Sequence, residues 1–385
     1  MNFNKGSVMY HINSIPVIGN YDSGCVIGLT PEGEKFCKGI FQNGVEDEAV
    51  GKENAELYGA LKSAGFFAEN QNTGLVSAYL HVTQRCNLHC IGCYSLDEQR
   101  NCLKDAATAQ IKRAIGQLAK NGCMQMVISG GEPFLRQDLA EILAYAHDTA
   151  QIRSVNIITN GTALSLEKAK QVKPYVDSIA VSIDGYSKAC PTFIRDEGIY
   201  DQVIEAVEIC KQAGIDVSIL PTIHTKNYNN LREYVTLSKQ LSAIAQELVD
   251  MGLQEVVSFQ DMPIGEGFDT RKSCEVGHRI VSVGADGTVY PCHMLHDKKL
   301  AMGNIFEEEL ADILTSGIAK ECRELHVDHF DTCGDCRHKY VCGGGCRARS
   351  FYVYGDLQSH DFYCPMTKTY FDWISNQLEE MYQPA

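Results

Sequence analysis

The sequence predicts an α/β protein: a parallel sheet closed part-way into a (βα)6 partial barrel, with a small winged-helix-like unit before it and a cysteine-rich domain after it. Three observations carry this prediction. Apolar strand-like runs alternate with amphipathic helical segments from residue 74 to about 265, the pattern of a parallel sheet with crossover helices. Six such repeats are two short of a closed eight-stranded barrel. After 265, glycine and cysteine become dense, and no long helical pattern returns until Met366–Met381.

The elements follow in chain order. In residues 1–73, Gly24 to Gly33 reads as a strand and turn, with Thr30 as an N-cap and Pro31 at the first helical position. Phe36, Ile40 and Phe41 then share one helical face, and a second helix, Asn54–Ala64, ends at a Gly65 C-cap. Residues 74–265 hold candidate strands Leu75–Gln84, Met124–Ser129, Ser154–Thr159, Ser178–Ile183, Asp216–Thr222 and Glu255–Asp261. Between them lie helical segments Asp105–Lys120, Gln137–His147, Leu164–Val172, Tyr200–Ala213 and Leu231–Asp250. Residues 266–385 form the last unit, where Cys333 to Cys346 contains four cysteines and four glycines. Such a segment builds little apolar core, so bound metal must organise it.

Composition narrows the function. The 385 residues are 44% hydrophobic and 22% charged, which suits a soluble globular chain of two or three units. No eighteen-residue apolar run marks a membrane span, and the N-terminus lacks the apolar core of a secretion signal, so a cytoplasmic location is expected. Seventeen cysteines in such a chain argue for metal ligation rather than disulfides. A formal charge of −15 opposes binding to nucleic acid; a basic or neutral peptide partner fits it, as does solubility alone.

Ten cysteines fall in two spaced groups. The first, Cys86-Asn-Leu-His-Cys90-Ile-Gly-Cys93, supplies three soft thiolates to a [4Fe–4S] cube and leaves its fourth iron without a protein ligand. The competing possibility is a zinc knuckle, though zinc sites usually close with four ligands at paired spacings. The second candidate strand runs into Gly130-Gly131-Glu132-Pro133, beginning 37 residues after Cys93, and the fourth ends in Ser182-Ile-Asp-Gly185. Thr159-Asn-Gly161 ends the third and reads as a plain turn.

Together these segments resemble the radical S-adenosylmethionine (radical SAM) enzymes, in which the open iron chelates the cofactor's amino and carboxylate groups. The resemblance implies cofactor contacts at Gly130, Gly131, Glu132, Ser182 and Arg195, the arginine gripping the carboxylate. It also implies a low-oxygen setting and an external one-electron donor such as flavodoxin or ferredoxin. The later cysteines, Cys274-x17-Cys292, then Cys333-x2-Cys336-x5-Cys342-x3-Cys346 and Cys364, resemble the SPASM auxiliary-cluster module. By that family's crossed connectivity Cys333, Cys336, Cys342 and Cys364 bind one [4Fe–4S] cluster, while Cys274, Cys292 and Cys346 bind another. The second set is one ligand short; Cys322 completes it, or the position stays open for substrate. A zinc-ribbon alternative has two tetrahedral sites. His81, His89 and His293 lie beside these cysteines and are assigned no ligand role.

The resemblance implies an oxidoreductase that crosslinks or oxidises a ribosomally made peptide, with residues 1–73 similar to small recognition elements for a peptide leader or serving as a structural lid. Alternatives are an anaerobic sulfatase maturase, a tetrapyrrole-modifying radical enzyme, and a non-enzymatic iron–sulfur redox protein. His293 stands where the sulfatase maturases carry an aspartate.

Overall fold

The computed structural model describes residues 1–68, 74–91, 93, 101–190, 194–222, 230, 233, 234, 237 and 269–382. The chain divides into two compact units. One comprises Met1–Thr73, Phe259–Glu275 and Arg323–Ala385; the other comprises Gly74–Ser258 and Val276–Cys322.

The first unit begins with a hairpin that the sequence pattern did not announce. Strands β1 (Ser7–Ile12) and β2 (Ile15–Asn20) pair antiparallel, with Ile12 opposite Ile15, and β3 (Val26–Gly28) adds to β2. Asn13 takes the left-handed conformation at the tight turn, which asparagine tolerates better than most residues. Pro16 and Gly19 break the strand signature of β2, which explains the missed hairpin. Period-2 alternation gives this sheet two apolar faces. Ile18 packs with Leu29, Cys37, Leu61 and Phe66 on the helix side. Tyr10, Ile12, Ile15 and Val17 pack with Val341 and Phe371 on the other.

Helix α1 (Pro31–Asn43) starts as expected: the Thr30 hydroxyl accepts the Gly33 N–H at 3.1 Å and Pro31 follows. Its buried stripe is Gly33, Cys37 and Ile40, whereas Phe41 is exposed and meets the Phe3 ring at a tilt, centres 4.7 Å apart. The expected Phe36–Ile40–Phe41 face therefore holds at Ile40, with Phe36 half-buried, and is corrected at Phe41. Helix α2 (Ala55–Ser63) ends before Gly65, which has positive φ.

In the second unit, β4 (Ser77–His81), β5 (Gln125–Ser129), β6 (Ser154–Thr159), β7 (Ser178–Ile183) and β8 (Asp216–Pro221) pair parallel in that order. Between them run α3 (Thr108–Lys120), α4 (Leu139–Ala144), α5 (Leu166–Val172) and α6 (Tyr200–Ala213). This is the expected α/β alternation. The sheet residues Ala78, Leu80, Met126, Ile128, Val155 and Val181 bury against helix residues such as Ile111, Ile115, Ile142 and Val203. Helix α3 begins at Thr108 rather than Asp105, because the Asp105 carboxylate is taken by Thr83 and Arg85. Three further strands extend the sheet beyond β4: β9 (Ile280–Val283), parallel to it, then β10 (Thr288–Tyr290) and β11 (Gly303–Asn304), antiparallel. The sequence assigned no strands there, since each is four residues or fewer. The expected helix Leu231–Asp250 and strand Glu255–Asp261 lie outside the described residues, except that Glu233, Tyr234 and Leu237 are helical.

The C-terminal part of the first unit is short helices and turns until Cys364–Met381, an 18-residue helix with Pro365 in its first turn. Among the described residues, no helix is long and apolar enough to cross a membrane.

Candidate functional site

The Cys86–Cys93 loop leaves the C-terminal end of β4, where parallel α/β sheets place their ligand sites. Its shape is set by bonds from distant parts of the second unit. Asn101 accepts the Cys86 N–H at 2.8 Å, Asp196 accepts the His89 N–H at 2.8 Å, and the Ile194 carbonyl accepts the Ile91 N–H at 2.7 Å. Cys86 and Cys90 are nearly buried, and Cys93 is half-buried. Two of the three sulfurs already face donors: Asn160 Nδ2 lies 3.8 Å from Cys86 Sγ, and Arg195 Nη1 lies 3.8 Å from Cys90 Sγ.

Gly130 and Gly131 follow β5 directly against this loop. A Cβ on Gly130 would sit 2.3 Å from the Thr83 carbonyl oxygen, and one on Gly131 would sit 2.2 Å from that of Arg85. The chain's own backbone therefore demands both glycines, and the N–H groups of Gly131 and Glu132 donate to those same two carbonyls. Glu132 is fully buried, and burial pushes its carboxyl above the usual range. Its Oε1 accepts from the Phe134 N–H and the Thr159 hydroxyl, and its Oε2 accepts from the Asn160 N–H at 2.8 Å. Glu132 thus ties the Gly-Gly turn to the end of β6, and through Asn160 to Cys86.

Ser182 is buried near the end of β7. Two residues on, Asp184 accepts the Arg195 N–H at 3.0 Å and lies 3.4 Å from its Nε, aligning the guanidinium that reaches Cys90. Asp184 and Asn160 were not singled out as site residues. The aspartate of the Ser-x-Asp-Gly segment was the available signal for one; nothing but a turn signal marked the other.

In the first unit, Cys333, Cys336, Cys342 and Cys364 line one cavity, with His338, Lys339 and Lys368. Cys342 ends a helical turn, Lys339–Cys342, and is followed by Gly343, Gly344 and Gly345, all at positive φ; this reverses the chain in three residues. Asp361, buried, accepts from the Cys346 and Tyr363 N–H groups and from Arg349, and so fixes the approach to Cys364. Burial pushes the Cys342 thiol up to about 12, and the nearby Cys333, Cys336 and Cys364 add to the effect. Four sulfurs crowded in this way need a cation to ionise together. Among the described residues, no three Cys, His, Asp or Glu side chains converge as tightly as one ion requires. A tetrahedral zinc site would draw its sulfurs to about 3.8 Å of each other. Four thiols lining one cavity would suit a four-thiolate cube.

Cys274 and Cys346 belong to the first unit and Cys292 to the second, and each is half-buried. Cys292 follows β10, with the Met294 N–H 3.3 Å and His293 Nδ1 3.8 Å from its sulfur. Cys322 is fully buried in the helix Gly317–Glu324, its sulfur pressed on Gly277, where a Cβ would come within 2.8 Å.

Residues 80–237 match the model of the radical SAM superfamily, and residues 274–337 match the SPASM iron–sulfur cluster-binding domain. The chain is 26% identical to Fe-coproporphyrin III synthase of Methanosarcina barkeri, over 75% of this chain and 87% of that protein. It is 27% identical to the mycofactocin maturase MftC of Mycobacterium tuberculosis, over 74% and 81%. It is 24% identical to the subtilosin biosynthesis protein AlbA of Bacillus subtilis, over 80% and 73%. Among solved structures, anSMEcpe with bound AdoMet superposes with a TM-score of 0.60 at 17% identity, over 80% of this chain and 98% of that one. Streptococcus suis SuiB bound to S-adenosylmethionine gives 0.52 at 15%, over 94% and 100%. At those identities the structures share the fold.

Proposed function

This chain is a radical SAM enzyme with a SPASM iron–sulfur domain, and from that premise we propose that it crosslinks or oxidises a ribosomally made peptide. Cys86, Cys90 and Cys93 would hold the catalytic [4Fe–4S] cluster. Gly130, Gly131, Glu132, Ser182 and Arg195 would surround S-adenosylmethionine, with Asp184 and Asn160 holding Arg195 and the turn after β6 in place. When bound, the cluster supplies the electron that cleaves the cofactor to methionine and a 5′-deoxyadenosyl radical. Cys333, Cys336, Cys342 and Cys364 would hold one auxiliary cluster. Cys274, Cys292 and Cys346 would hold the second, with Cys322 or substrate as the remaining ligand. The electron would come from flavodoxin or ferredoxin.

One observation carries the peptide assignment: the three-stranded sheet β1–β3 backed by α1 and α2 ahead of the enzyme sheet. Among the described residues β3 pairs with a strand on one side only, and its other edge is the proposed place for an added strand from a leader. Relatives named as peptide-modifying proteins support it, among them MftC, AlbA and PqqA peptide cyclase. The second reading is tetrapyrrole chemistry, favoured by the similarity to Fe-coproporphyrin III synthase and pre-heme d1 synthase. Anaerobic incubation of the reconstituted enzyme with S-adenosylmethionine and either the peptide encoded beside its gene or an iron porphyrin, followed by mass spectrometry, separates them. A mass loss of two hydrogens in the peptide supports the first reading; change in the porphyrin alone replaces it with the second.

A further inference from the structure

Five rings and one sulfur gather on the sheet of the second unit. Tyr79 of β4 lies opposite Ser282 of β9, and Ser282 opposite Tyr290 of β10, so these side chains form a row across three strands. The segment after Cys292 lies over that row. His293 stacks on Tyr79, ring centres 4.0 Å apart at 24°. His296 stacks between Tyr290 at 4.4 Å and His81 at 4.6 Å, and its Nε2 meets the Ser282 hydroxyl at 2.8 Å. The intervening Leu295 is fully buried, and its N–H donates to the Cys292 carbonyl at 3.0 Å. Burial holds the His296 imidazole down to about 4 and drives that of His81 below its usual value, and the neighbouring His293 adds to both shifts.

The clamp has a chemical consequence at Cys292. His293 Nδ1 stands 3.8 Å from the sulfur, and the Met294 N–H approaches it at 3.3 Å. A ligating thiolate has lone pairs only, so the imidazole must carry the proton on Nδ1 and donate it. Hydrogen bonds to cluster sulfurs draw off electron density and stabilise the reduced, more negative state, which raises the reduction potential. We propose that Tyr79 positions His293 to donate a hydrogen bond to Cys292, raising the potential of the auxiliary cluster that Cys292 ligates and making it a better one-electron acceptor. This rests on the assignment of Cys292 as an auxiliary ligand.

The test is anaerobic redox titration of the full reconstituted chain, followed by electron paramagnetic resonance, with iron counted in every sample. His293→Leu is expected to keep its iron while one cluster's midpoint falls by about 59 mV, a tenfold shift in a one-electron equilibrium. His293→Gln, which restores an N–H donor, is expected to recover part of that shift. Tyr79→Phe, which keeps the stacking ring, is expected to leave the potential in place, and Tyr79→Leu to lower it. An unchanged potential in iron-replete His293→Leu overturns the proposal, and so does loss of a cluster in both His293 variants, since His293 would then be a ligand. Cys292→Ala tests the underlying assignment separately: if all clusters survive that change, Cys292 is not a ligand, whatever His293 does.

Discussion

The two thiol-rich regions are built in opposite ways. The Cys86–Cys93 loop is shaped by the fold: partners at 101, 160 and 194–196 hold its backbone and sulfurs, and glycines at 130 and 131 let β5's turn close on it. The Cys333–Cys364 site has little of this. Its walls are single turns, a run of left-handed glycines and one buried aspartate, and burial together with neighbouring thiols pushes the Cys333, Cys342 and Cys364 thiols up. On the proposed assignment the difference teaches that three thiols in a preformed loop would leave an iron free for chemistry, whereas four thiols round a soft cavity would make a closed centre that the metal itself completes.

The largest expected effect falls on the preformed loop. Replacing Cys90 with alanine should abolish 5′-deoxyadenosine formation, because the open cube already has the fewest thiolates it can use; chromatography of the reaction checks it. Cys342→Ala should behave differently, losing about four irons per chain and peptide product while cofactor cleavage persists. Equal loss of cleavage in both variants would erase the distinction between the regions.

Next comes the proposed leader-binding edge of β3. Just past β3 the N–H of Leu29 donates back to Pro16 of β2, so by alternation those of Val26 and Gly28 point away from β2. Val26→Pro removes one outward donor on an edge strand that tolerates proline. Leader affinity should fall about tenfold, roughly 1.4 kcal/mol, with iron content unchanged, as read by calorimetry. Deleting residues 1–73 is a poorer probe. The hairpin shares its core with Val341, Cys342 and Phe371, so the deletion would also strip a wall near the four-thiol cavity.

The smaller effects are on stability, and they too separate the regions. Glu132→Gln leaves one backbone N–H facing an amide donor and should cost about 1–3 kcal/mol, seen as a lower melting temperature. Asp361→Asn in the cysteine-rich region should cost about as much, with a pH signature. The bonds from Arg349, Cys346 and Tyr363 outweigh burial and hold the Asp361 carboxyl below its usual range. Its contribution is therefore complete above about pH 4 and lost as the pH falls below that. Wild-type melting should show this acid loss, and Asp361→Asn should lack it.

The sequence made much of this architecture legible, for identifiable reasons. The β4–β8 alternation and the Thr30–Pro31 helix start depend on residues adjacent in the chain, and cysteine spacing survives any folding. What escaped depends on partners far apart. Asp105 reads as the start of a helix until Thr83 and Arg85 claim it. Asn160 reads as a turn until its amide meets Cys86, 74 positions away. Strands β9 to β11 are too short to carry a periodic signal and exist because β4 offers them an edge. His293 was set aside as a neighbour of a cysteine, because its stack on Tyr79 joins segments more than two hundred residues apart.

The central claim is that Cys86, Cys90 and Cys93 hold the one cluster that engages the cofactor. Its most direct measurement is electron paramagnetic resonance of the reduced enzyme with and without S-adenosylmethionine, in the wild type and in a variant with all three cysteines changed to alanine. The wild-type spectrum should change on adding the cofactor, while the triple variant should keep its auxiliary signals and show no response. A cofactor-dependent change that survives loss of the three thiols would contradict the account.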